Sequence, residues 1–264
     1  MPVRGLAPAK VNLTLHVTGR RADGYHLLDS LVAFADIGDL VTVAAGDGLV
    51  VTGPFAAGVP TDDGNLIRRA LQLGGLRRAV TLEKRLPHPA GLGGGSSDAA
   101  TVLSLAGATL LIADLLSLGA DVPVCATARA ARMRGVGEDV VPLVLPPLPA
   151  VLVNPCFAVS TPSVFRALDH VGNAGHGAVP PFSDTDAALS WLAAQRNDLE
   201  TAAMRVAPGI GGVLDAIRET GAQVTRMSGS GATCFGLYST QAAAGTAAAA
   251  LERDGWWVRA CTLR

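Results

Sequence analysis

Apolar and polar residues alternate strictly near the start of the chain. Over residues 10–18 the odd positions are apolar and the even positions are Lys10, Asn12, Thr14, His16 and Thr18. A period of two predicts a β-strand with its apolar face in the core. We expect functional groups on the opposite face, although a histidine such as His16 is as typical of a structural role.

Later patterns predict strands interleaved with helices. Apolar runs at 39–45 and 49–53 flank a Gly-Asp-Gly turn and predict a β-hairpin. The other predicted strands are 79–85, 150–153, 223–227, 233–238 and 256–262, and the predicted helices are 65–73, one from about 96, 111–118, 161–168, 186–194, 209–220 and 241–253. In the second half of the chain the strands and helices interleave as in a split α/β sandwich, and no internal repeat is present.

Four prolines interrupt the pattern between residues 141 and 150. Proline lacks the amide that a helix or a central strand requires, so no regular element is expected there. A chain of 264 residues is long enough for two domains. We therefore predict one domain of residues 1–145 and a second of residues 146–264.

The charge balance excludes several classes of function. With 21 basic and 22 acidic residues the formal net charge is −1, which is atypical of a broad surface for nucleic acid or anionic membrane. The apolar run at 99–113 is shorter than the roughly 18 residues of a membrane span. No signal-peptide pattern precedes Lys10, and the four cysteines are scattered, as in a reduced cytoplasmic protein without a metal cluster. We expect a cytoplasmic protein that meets any anionic ligand at a local site.

Residues 91–98 (GLGGGSSD) stand between a predicted strand and a predicted helix. Consecutive glycines let backbone amides converge, and the free amides and dipole of a helix N-terminus attract an anion. The segment predicts a phosphate cradle; the alternative is a flexible turn closed by a serine N-cap. It matches neither a Walker A loop nor a GxGxxG loop, so another loop design is expected.

Only two of the 21 basic residues are lysines, Lys10 and Lys84. A compact ammonium and a planar guanidinium differ chemically. Lys10 lies on the polar face of the first predicted strand, and Lys84 lies on the strand that leads into the glycine loop. Both positions are therefore candidates for a site that requires an ammonium.

Three segments occur in a recognisable order: PAKVNL at 8–13, LP at 86–87 followed by GLGGGSSDAA at 91–100, and SGSGAT at 228–233. They resemble the motifs of the small-molecule kinases that include galactokinase, homoserine kinase and mevalonate kinase. Five more segments are TGRRADGYH at 18–26, GADVP at 119–123, GVGE at 135–138, TPSVF at 161–165 and NDLE at 197–200. These are similar to segments of one branch of that superfamily, the 4-diphosphocytidyl-2-C-methyl-D-erythritol kinases.

The resemblance implies ATP-dependent phosphorylation of the 2-hydroxyl of a cytidine-diphosphate-linked methylerythritol, a step of non-mevalonate isoprenoid synthesis. It implies an α+β fold with a ribosomal-protein-S5-domain-2-like N-terminal domain and a ferredoxin-like C-terminal domain, with the site in the cleft between them. The implied ligands are ATP, Mg²⁺ and the cytidine diphosphate conjugate, and the sequence leaves both a monomer and a homodimer open. The alternatives are a kinase of the same superfamily that acts on another alcohol, and a nucleotide-binding regulator without turnover.

Matched position by position, the motifs imply that Asp121 is the base that takes the hydroxyl proton and that Lys10 assists it. The implied substrate residues are Asn12, Tyr25, His26 and Phe165. The cytosine would lie between the rings of Tyr25 and Phe165, with His26 at its polar edge. From the residues alone, Asp121 is more typical of a helix N-cap, and Phe165 of core packing.

The motifs also imply a nucleotide site. Its implied residues are Asn65, Leu66, Lys84, Pro89, Gly91, Leu92, Gly93, Gly94, Gly95, Ser96 and Ser97. Ser97 is also the implied magnesium ligand, and Asn65 is equally typical of a helix N-cap. Residues 228–231 are expected to buttress the phosphate loop, or to form only a tight turn between two strands.

The chain departs from this family in one segment. The stretch between Asp98 and Asp121 is shorter than the two full helices of these kinases, and Gly107 interrupts its pattern. The distance between the phosphate loop and the candidate base depends on this stretch.

Overall fold

The structure is a computed structural model that describes all 264 residues, Met1–Arg264. The strands are β1 Val3–Asn12, β2 His16–Arg20, β3 His26–Ala45, β4 Gly48–Thr52, β5 Arg78–Glu83, β6 Ala131–Gly135, β7 Asp139–Pro142, β8 Leu148–Asn154, β9 Val224–Met227, β10 Cys234–Leu237 and β11 Trp257–Leu263. The helices are α1 Leu66–Leu73, α2 Gly94–Leu105, α3 Ile112–Leu118, α4 Val122–Thr127, α5 Thr161–Arg166, α6 Thr185–Ala193, α7 Glu200–Val206, α8 Gly209–Glu219 and α9 Gln241–Leu251. None of these helices combines the length and the apolar character that crossing a membrane requires.

The strand β3, with 20 residues, organises the first half of the chain. Along one edge it pairs with β2 and then β1, and along the other with β6 and then β5. All four pairings are antiparallel. A single long strand thus holds the segments that carry the first and second motifs.

The strands of the second half form an antiparallel series in the order β11-β8-β10-β9. Leu263 of β11 pairs with Ala35 of β3. The amides of Phe34 and Arg264 donate to each other's carbonyl oxygens at 2.8 and 2.9 Å, so all eleven strands belong to one mixed sheet. The predicted α+β class is confirmed. The predicted boundary near residue 145 lies between β7 and β8.

The odd positions of the first strand lie in the core, as the alternation predicts. Ala9, Val11 and Leu13 are fully buried. They belong to an apolar cluster that includes Leu148 and Phe235. This cluster therefore lies where the two halves of the chain meet.

The even positions are buried as well, which the alternation does not predict. Lys10, Asn12, Thr14 and His16 are at most 3% exposed. Two of their contacts are hydrogen bonds to β3: the Asn12 side-chain amide donates to Ser30 Oγ at 2.8 Å, and Thr14 Oγ1 accepts a backbone amide of β3 at 2.9 Å. The polar face of this segment is therefore enclosed within the protein.

The single strand predicted at 10–18 is divided in two. β1 ends at Asn12 and β2 begins at His16. Between them Leu15 bonds to the second half: its amide donates to the Arg196 carbonyl at 3.0 Å, and its carbonyl accepts from the Asp198 amide at 2.8 Å. The alternation of apolar and polar residues indicates a strand. It carries no information about which segment the strand pairs with, so it does not predict this break.

The predicted hairpin of residues 39–45 and 49–53 is wrong. β5 lies between β3 and β4, antiparallel to β3 and parallel to β4. This order buries Val80 and Leu82 of β5 in one cluster with Val41 and Val43 of β3. Residues 46–47 do connect β3 to β4. However, β5, which comes later in the chain, pairs with β3 in place of β4.

Some elements have no counterpart in the predictions: the β6–β7 pair, α4 and α7, all of them short. Residues 3–9 of β1 and residues 26–38 of β3 were not predicted as strand either. β6 alternates apolar and charged residues over only four positions, and α7 has only seven residues, so neither is long enough for its period to indicate an element. α2 begins at Gly94, slightly earlier than predicted. The other predicted helices and strands are present with bounds shifted by a few residues.

His16 is packed as a structural residue. Its ring stacks on His176 with centroids 3.9 Å apart, and His176 stacks on Trp191. Neither nitrogen of His16 has a hydrogen-bond partner. Burial, and after it the charge of His176, lowers the pKa of His16 to about 4. Burial also lowers the pKa of His176.

Acidification is expected to destabilise the fold through His16. The unfolded chain protonates His16 near its ordinary pKa of about 6.5, whereas the folded chain keeps it neutral down to about pH 4. The unfolded state therefore binds more protons in this window, and the free energy of unfolding falls as pH falls. We expect His16→Phe, which keeps a ring and cannot be protonated, to lose less stability over this range in urea unfolding. If the free energy of unfolding of the variant and that of the wild type changed equally with pH over this range, the expectation would be contradicted.

Candidate active site

The glycine loop leads into the first turn of α2, which begins at Gly94. Gly93 precedes the helix with φ 60°, a left-handed conformation that glycine adopts without strain. No side chain caps the helix, so the serine-capped turn is wrong. The first amides of this 12-residue helix remain available to an anion.

Ser228 joins this loop to the first strand. Its hydroxyl accepts a hydrogen bond from the Asn12 backbone amide at 3.0 Å and donates one to the Gly91 carbonyl at 2.8 Å. A Cβ on Gly91 would collide with the Ser228 carbonyl oxygen, so the close approach requires glycine. Residues 228–233 thus form a turn between β9 and β10 that also packs against the glycine loop.

Lys10 and Asp121 form an ion pair beside the loop, with Nζ and Oδ2 2.9 Å apart. The Lys10 side chain is 4% exposed and that of Asp121 is 28% exposed. Lys10 Nζ also donates to Asn12 Oδ1 at 2.7 Å. Asp121 directly precedes α4 but makes no capping hydrogen bond. Its carboxylate is therefore free to meet both Lys10 and a ligand.

Gly93 packs directly against this ion pair. A Cβ on Gly93 would lie 3.1 Å from Lys10 Cε and 3.5 Å from Asp121 Oδ2. The helices between the loop and Asp121 are short, with 12 residues in α2 and seven in α3. The shortened segment nevertheless keeps the loop adjacent to the candidate base.

A cavity of about 1020 Å³ opens over the ion pair and the loop. Ten predicted site residues line it: Lys10, Asn12, Tyr25, His26, Pro89, Gly91, Gly93, Ser96, Asp121 and Phe165. Arg20 and Arg166, which the sequence analysis did not single out, line it as well. Both halves of the chain contribute to these walls.

Two aromatic rings stack within the cavity wall. The rings of His26 and Phe165 have centroids 4.6 Å apart and planes inclined by 25°. Phe165 also packs against the apolar core of the second half, so core packing and cavity lining involve the same ring. Tyr25 is 66% exposed. Burial, and after it the charge of Arg20, lowers the pKa of His26, which favours its neutral form.

Seven predicted nucleotide-binding residues do not line this cavity: Asn65, Leu66, Lys84, Leu92, Gly94, Gly95 and Ser97. Asn65 caps α1, and its Oδ1 accepts from the Ile67 amide at 2.8 Å. Leu66 lies near the loop, since a Cβ on Gly95 would be 3.6 Å from Leu66 Cδ1. Leu92 is buried in the core. The nucleotide assignment of these residues stays a prediction.

The side chains offer no preformed cation site. No group of three His, Cys, Asp or Glu side chains is placed to hold a metal ion. The Ser97 hydroxyl is buried and donates to the Pro8 carbonyl at 2.8 Å. This geometry gives Ser97 no support as a magnesium ligand. A magnesium ion here would take most of its oxygen ligands from nucleotide phosphates and water.

Sequence reasoning missed the environment of Lys84. This side chain is 4% exposed and is ion-paired with Asp39 and Asp98, whereas the sequence analysis assigns it to the nucleotide site. The fully buried Asp39 was not singled out, although an aspartate at the start of an apolar strand is a usable signal. No sequence pattern indicates a role for Ser30, whose hydroxyl oxygen accepts a hydrogen bond from the Asn12 side-chain amide.

Comparison with known proteins now adds to this geometry. Residues 183–255 match the family described as GHMP kinases C terminal. The 4-diphosphocytidyl-2-C-methyl-D-erythritol kinase of Dinoroseobacter shibae is 54% identical over 274 residues, which cover 100% of this chain and 96% of that protein. This chain belongs to the same kinase family.

Solved structures agree with this membership. A crystal structure of 4-(cytidine 5'-diphospho)-2C-methyl-D-erythritol kinase matches this kinase with a TM-score of 0.79 and 40% identity, over 99% of both chains. The homoserine kinase of Cytophaga hutchinsonii has a TM-score of 0.63 and 20% identity, over 99% of this chain and 95% of its own. It shares the fold.

Removal of the Ser228 hydroxyl is expected to destabilise this kinase. Ser228→Ala leaves the Asn12 amide and the Gly91 carbonyl without their buried partner, a loss of about 1–3 kcal/mol in the free energy of unfolding. Urea unfolding measures it. Ser183→Ala is the control, because the Ser183 hydroxyl is exposed and bonds only to Asp184; we expect a change within about 0.5 kcal/mol. Equal effects of the two substitutions would show that the Ser228 contacts are dispensable.

Proposed function

We propose that the protein transfers the γ-phosphoryl group of ATP to the 2-hydroxyl of 4-diphosphocytidyl-2-C-methyl-D-erythritol, in cytoplasmic non-mevalonate isoprenoid synthesis. The observation that carries this proposal is the 2.9 Å ion pair of Lys10 and Asp121, packed against the glycine loop in one cavity. The same cavity is lined by Gly93 and Ser96, at the start of α2, which can meet phosphate, and by aromatic rings that can meet a base. These features fit a donor nucleotide and a nucleotide-linked acceptor.

Asp121 is the proposed general base. In the transfer, the acceptor oxygen bonds to the γ-phosphorus, the bond from that phosphorus to the bridging oxygen of ADP breaks, and the hydroxyl proton passes to the Asp121 carboxylate. Asp121 is the more exposed member of the ion pair. It is therefore the member that an acceptor hydroxyl in the cavity can reach.

Lys10 is proposed to hold this carboxylate and to stabilise the charge that develops on the transferred group. An ammonium has three protons, and Asn12 and Asp121 take two of those on Lys10. The third remains for the acceptor or a phosphate oxygen. Asn12 would orient the ammonium, because its own amide is fixed by Ser30.

The cytosine is proposed to bind between Tyr25 and Phe165. Stacking a base on an aromatic ring contributes about 1–3 kcal/mol. In the structure His26 covers one face of Phe165. The proposed arrangement therefore requires the His26 ring to move to the polar edge of the base as it enters.

The phosphates of ATP are proposed to bind the glycine loop and the first amides of α2. The adenine is proposed to lie toward Asn65 and Leu66, since α1 is next to the loop. Mg²⁺ is proposed to arrive with the phosphates, which would provide most of its ligands. Its chemistry is to neutralise phosphate charge.

A panel of acceptors tests the proposed substrate. We expect ATP-dependent ADP release with 4-diphosphocytidyl-2-C-methyl-D-erythritol and little with the unconjugated sugar alcohol, mevalonate or homoserine, because the latter have no base for the aromatic rings. A coupled ADP assay measures this. Turnover of an unconjugated acceptor, with none of the conjugate, would refute the proposal.

Asp121→Asn tests the proposed base. The amide keeps the shape and cannot accept the proton, so we expect kcat to fall about 10²–10⁴-fold while ATP affinity changes little. Steady-state kinetics and ATP titration separate the two effects. Asp114→Asn makes the same change in the adjacent helix α3, outside the cavity, and should keep the wild-type kcat. A near wild-type kcat for Asp121→Asn would remove this residue from the role of base.

A further inference from the structure

Lys84 lies directly against the glycine loop. A Cβ on Gly94 would be 3.0 Å from Lys84 Nζ, just as a Cβ on Gly93 would be 3.1 Å from Lys10 Cε. The two lysines of the chain thus contact consecutive residues of the loop. Lys10 lines the cavity and Lys84 does not. Lys84 therefore supports the loop from inside the protein.

Two carboxylates hold the Lys84 ammonium. One is Asp39, through Oδ2, and the other is Asp98, whose Oδ2 lies 3.0 Å from Nζ. Asp39 Oδ1 also accepts the backbone amides of Arg85 and Leu86 at 2.6 and 2.8 Å. Residues 84–86 lead into the loop and Asp98 lies in the helix after it. The same ammonium therefore connects the segments on both sides of the loop to β3.

The charges of this cluster suit a site for phosphate. Burial, opposed by the charge of Lys84, raises the pKa of Asp98 to about 7, and Asp98 Oδ1 has no hydrogen-bond partner. Burial alone would favour neutral Lys84, but Asp98 and Asp39 outweigh it and raise the pKa of Lys84. Both shifts favour the charged form of Lys84 and the neutral form of Asp98, which lowers the net negative charge beside the loop amides.

We propose that Lys84, Asp39 and Asp98 form a clasp that positions the glycine loop for the phosphates of the nucleotide. The Lys84 side chain acts on the phosphates through the loop backbone and makes no contact with the adenine. All three are positioning residues, since none of them lines the cavity. The inference rests on the proposed use of ATP. The test measures nucleotide binding in the absence of an acceptor. The inference therefore does not depend on whether the proposed acceptor is correct.

The test uses the full chain and two probes, ADP and adenosine, titrated by calorimetry. Lys84→Met alone would leave two buried carboxylates without a cation. The double variant Lys84→Met/Asp98→Asn leaves only Asp39, which keeps its two backbone amides. The control is Arg85→Met, which removes the next cation along the chain; Arg85 is exposed and its side chain bonds only to Glu83.

We expect the double variant to bind ADP at least about tenfold more weakly and to bind adenosine as the wild type does, because only ADP carries phosphates. In steady-state kinetics, the KM for ATP should rise and the KM for the acceptor should stay the same. Arg85→Met should bind both probes normally. An equal loss for ADP and adenosine would overturn the proposal in favour of a base contact, and unchanged ADP binding would overturn it outright.

A second variant decides the matter if the double variant does not fold. In Gly94→Ala the added Cβ presses on the Lys84 ammonium, and we expect the same selective loss of ADP binding. Gly95→Ala adds a Cβ that meets only the Leu66 side chain, at an ordinary contact distance of 3.6 Å, and should cause a smaller loss. A loss for Gly94→Ala that includes adenosine, or that is no larger than for Gly95→Ala, would overturn the proposal.

Discussion

Two buried lysine side chains pack against two consecutive glycines, and the active-site geometry depends on this contact. A buried ammonium is tolerated only beside carboxylates, and each lysine has its own. Lys10 is paired with Asp121, and Lys84 with Asp39 and Asp98. The paired groups lie on or beside β1, β3, β5, α2 and α4, so these ion pairs locate five elements around one loop. Glycine at both loop positions is what allows the two lysine side chains to come this close.

The second half of the chain completes this arrangement through hydrogen bonds to backbone atoms. Ser228 bonds to both the first strand and the loop. Its turn is held by Asn197, whose side-chain amide donates to the carbonyls of Met227 and Gly229 at 2.8 and 2.9 Å. Arg226 is 6% exposed, and its guanidinium donates to three carbonyl oxygens, including that of Leu13 at 2.7 Å. The break between β1 and β2 is thus one of the places where the two halves are bonded together.

Much of the candidate site could be predicted because its chemistry is local in the sequence. The glycine loop, the lysine of the first motif and the aspartate before α4 each lie in a short segment with recognisable residues, and the cavity contains all three. Other assignments fail for a physical reason. The predicted hairpin depends on which strand fills the edge of β3, and the serine cap depends on whether the helix begins at Gly94 or two residues later. Both outcomes depend on packing against residues far along the chain.

The sequence by itself determined the family, the α+β class and the types of group available to the reaction. It also determined that the chain retains an ammonium at only two positions. The tertiary structure alone decided what each lysine does, because an ion pair depends on which carboxylates the strand register brings within reach. Asp39 meets Lys84 across a separation of 45 residues, through the pairing of β3 with β5. No local sequence pattern indicates this strand pairing. The pairing places Lys84 beneath the glycine loop, whereas Lys10 lines the cavity.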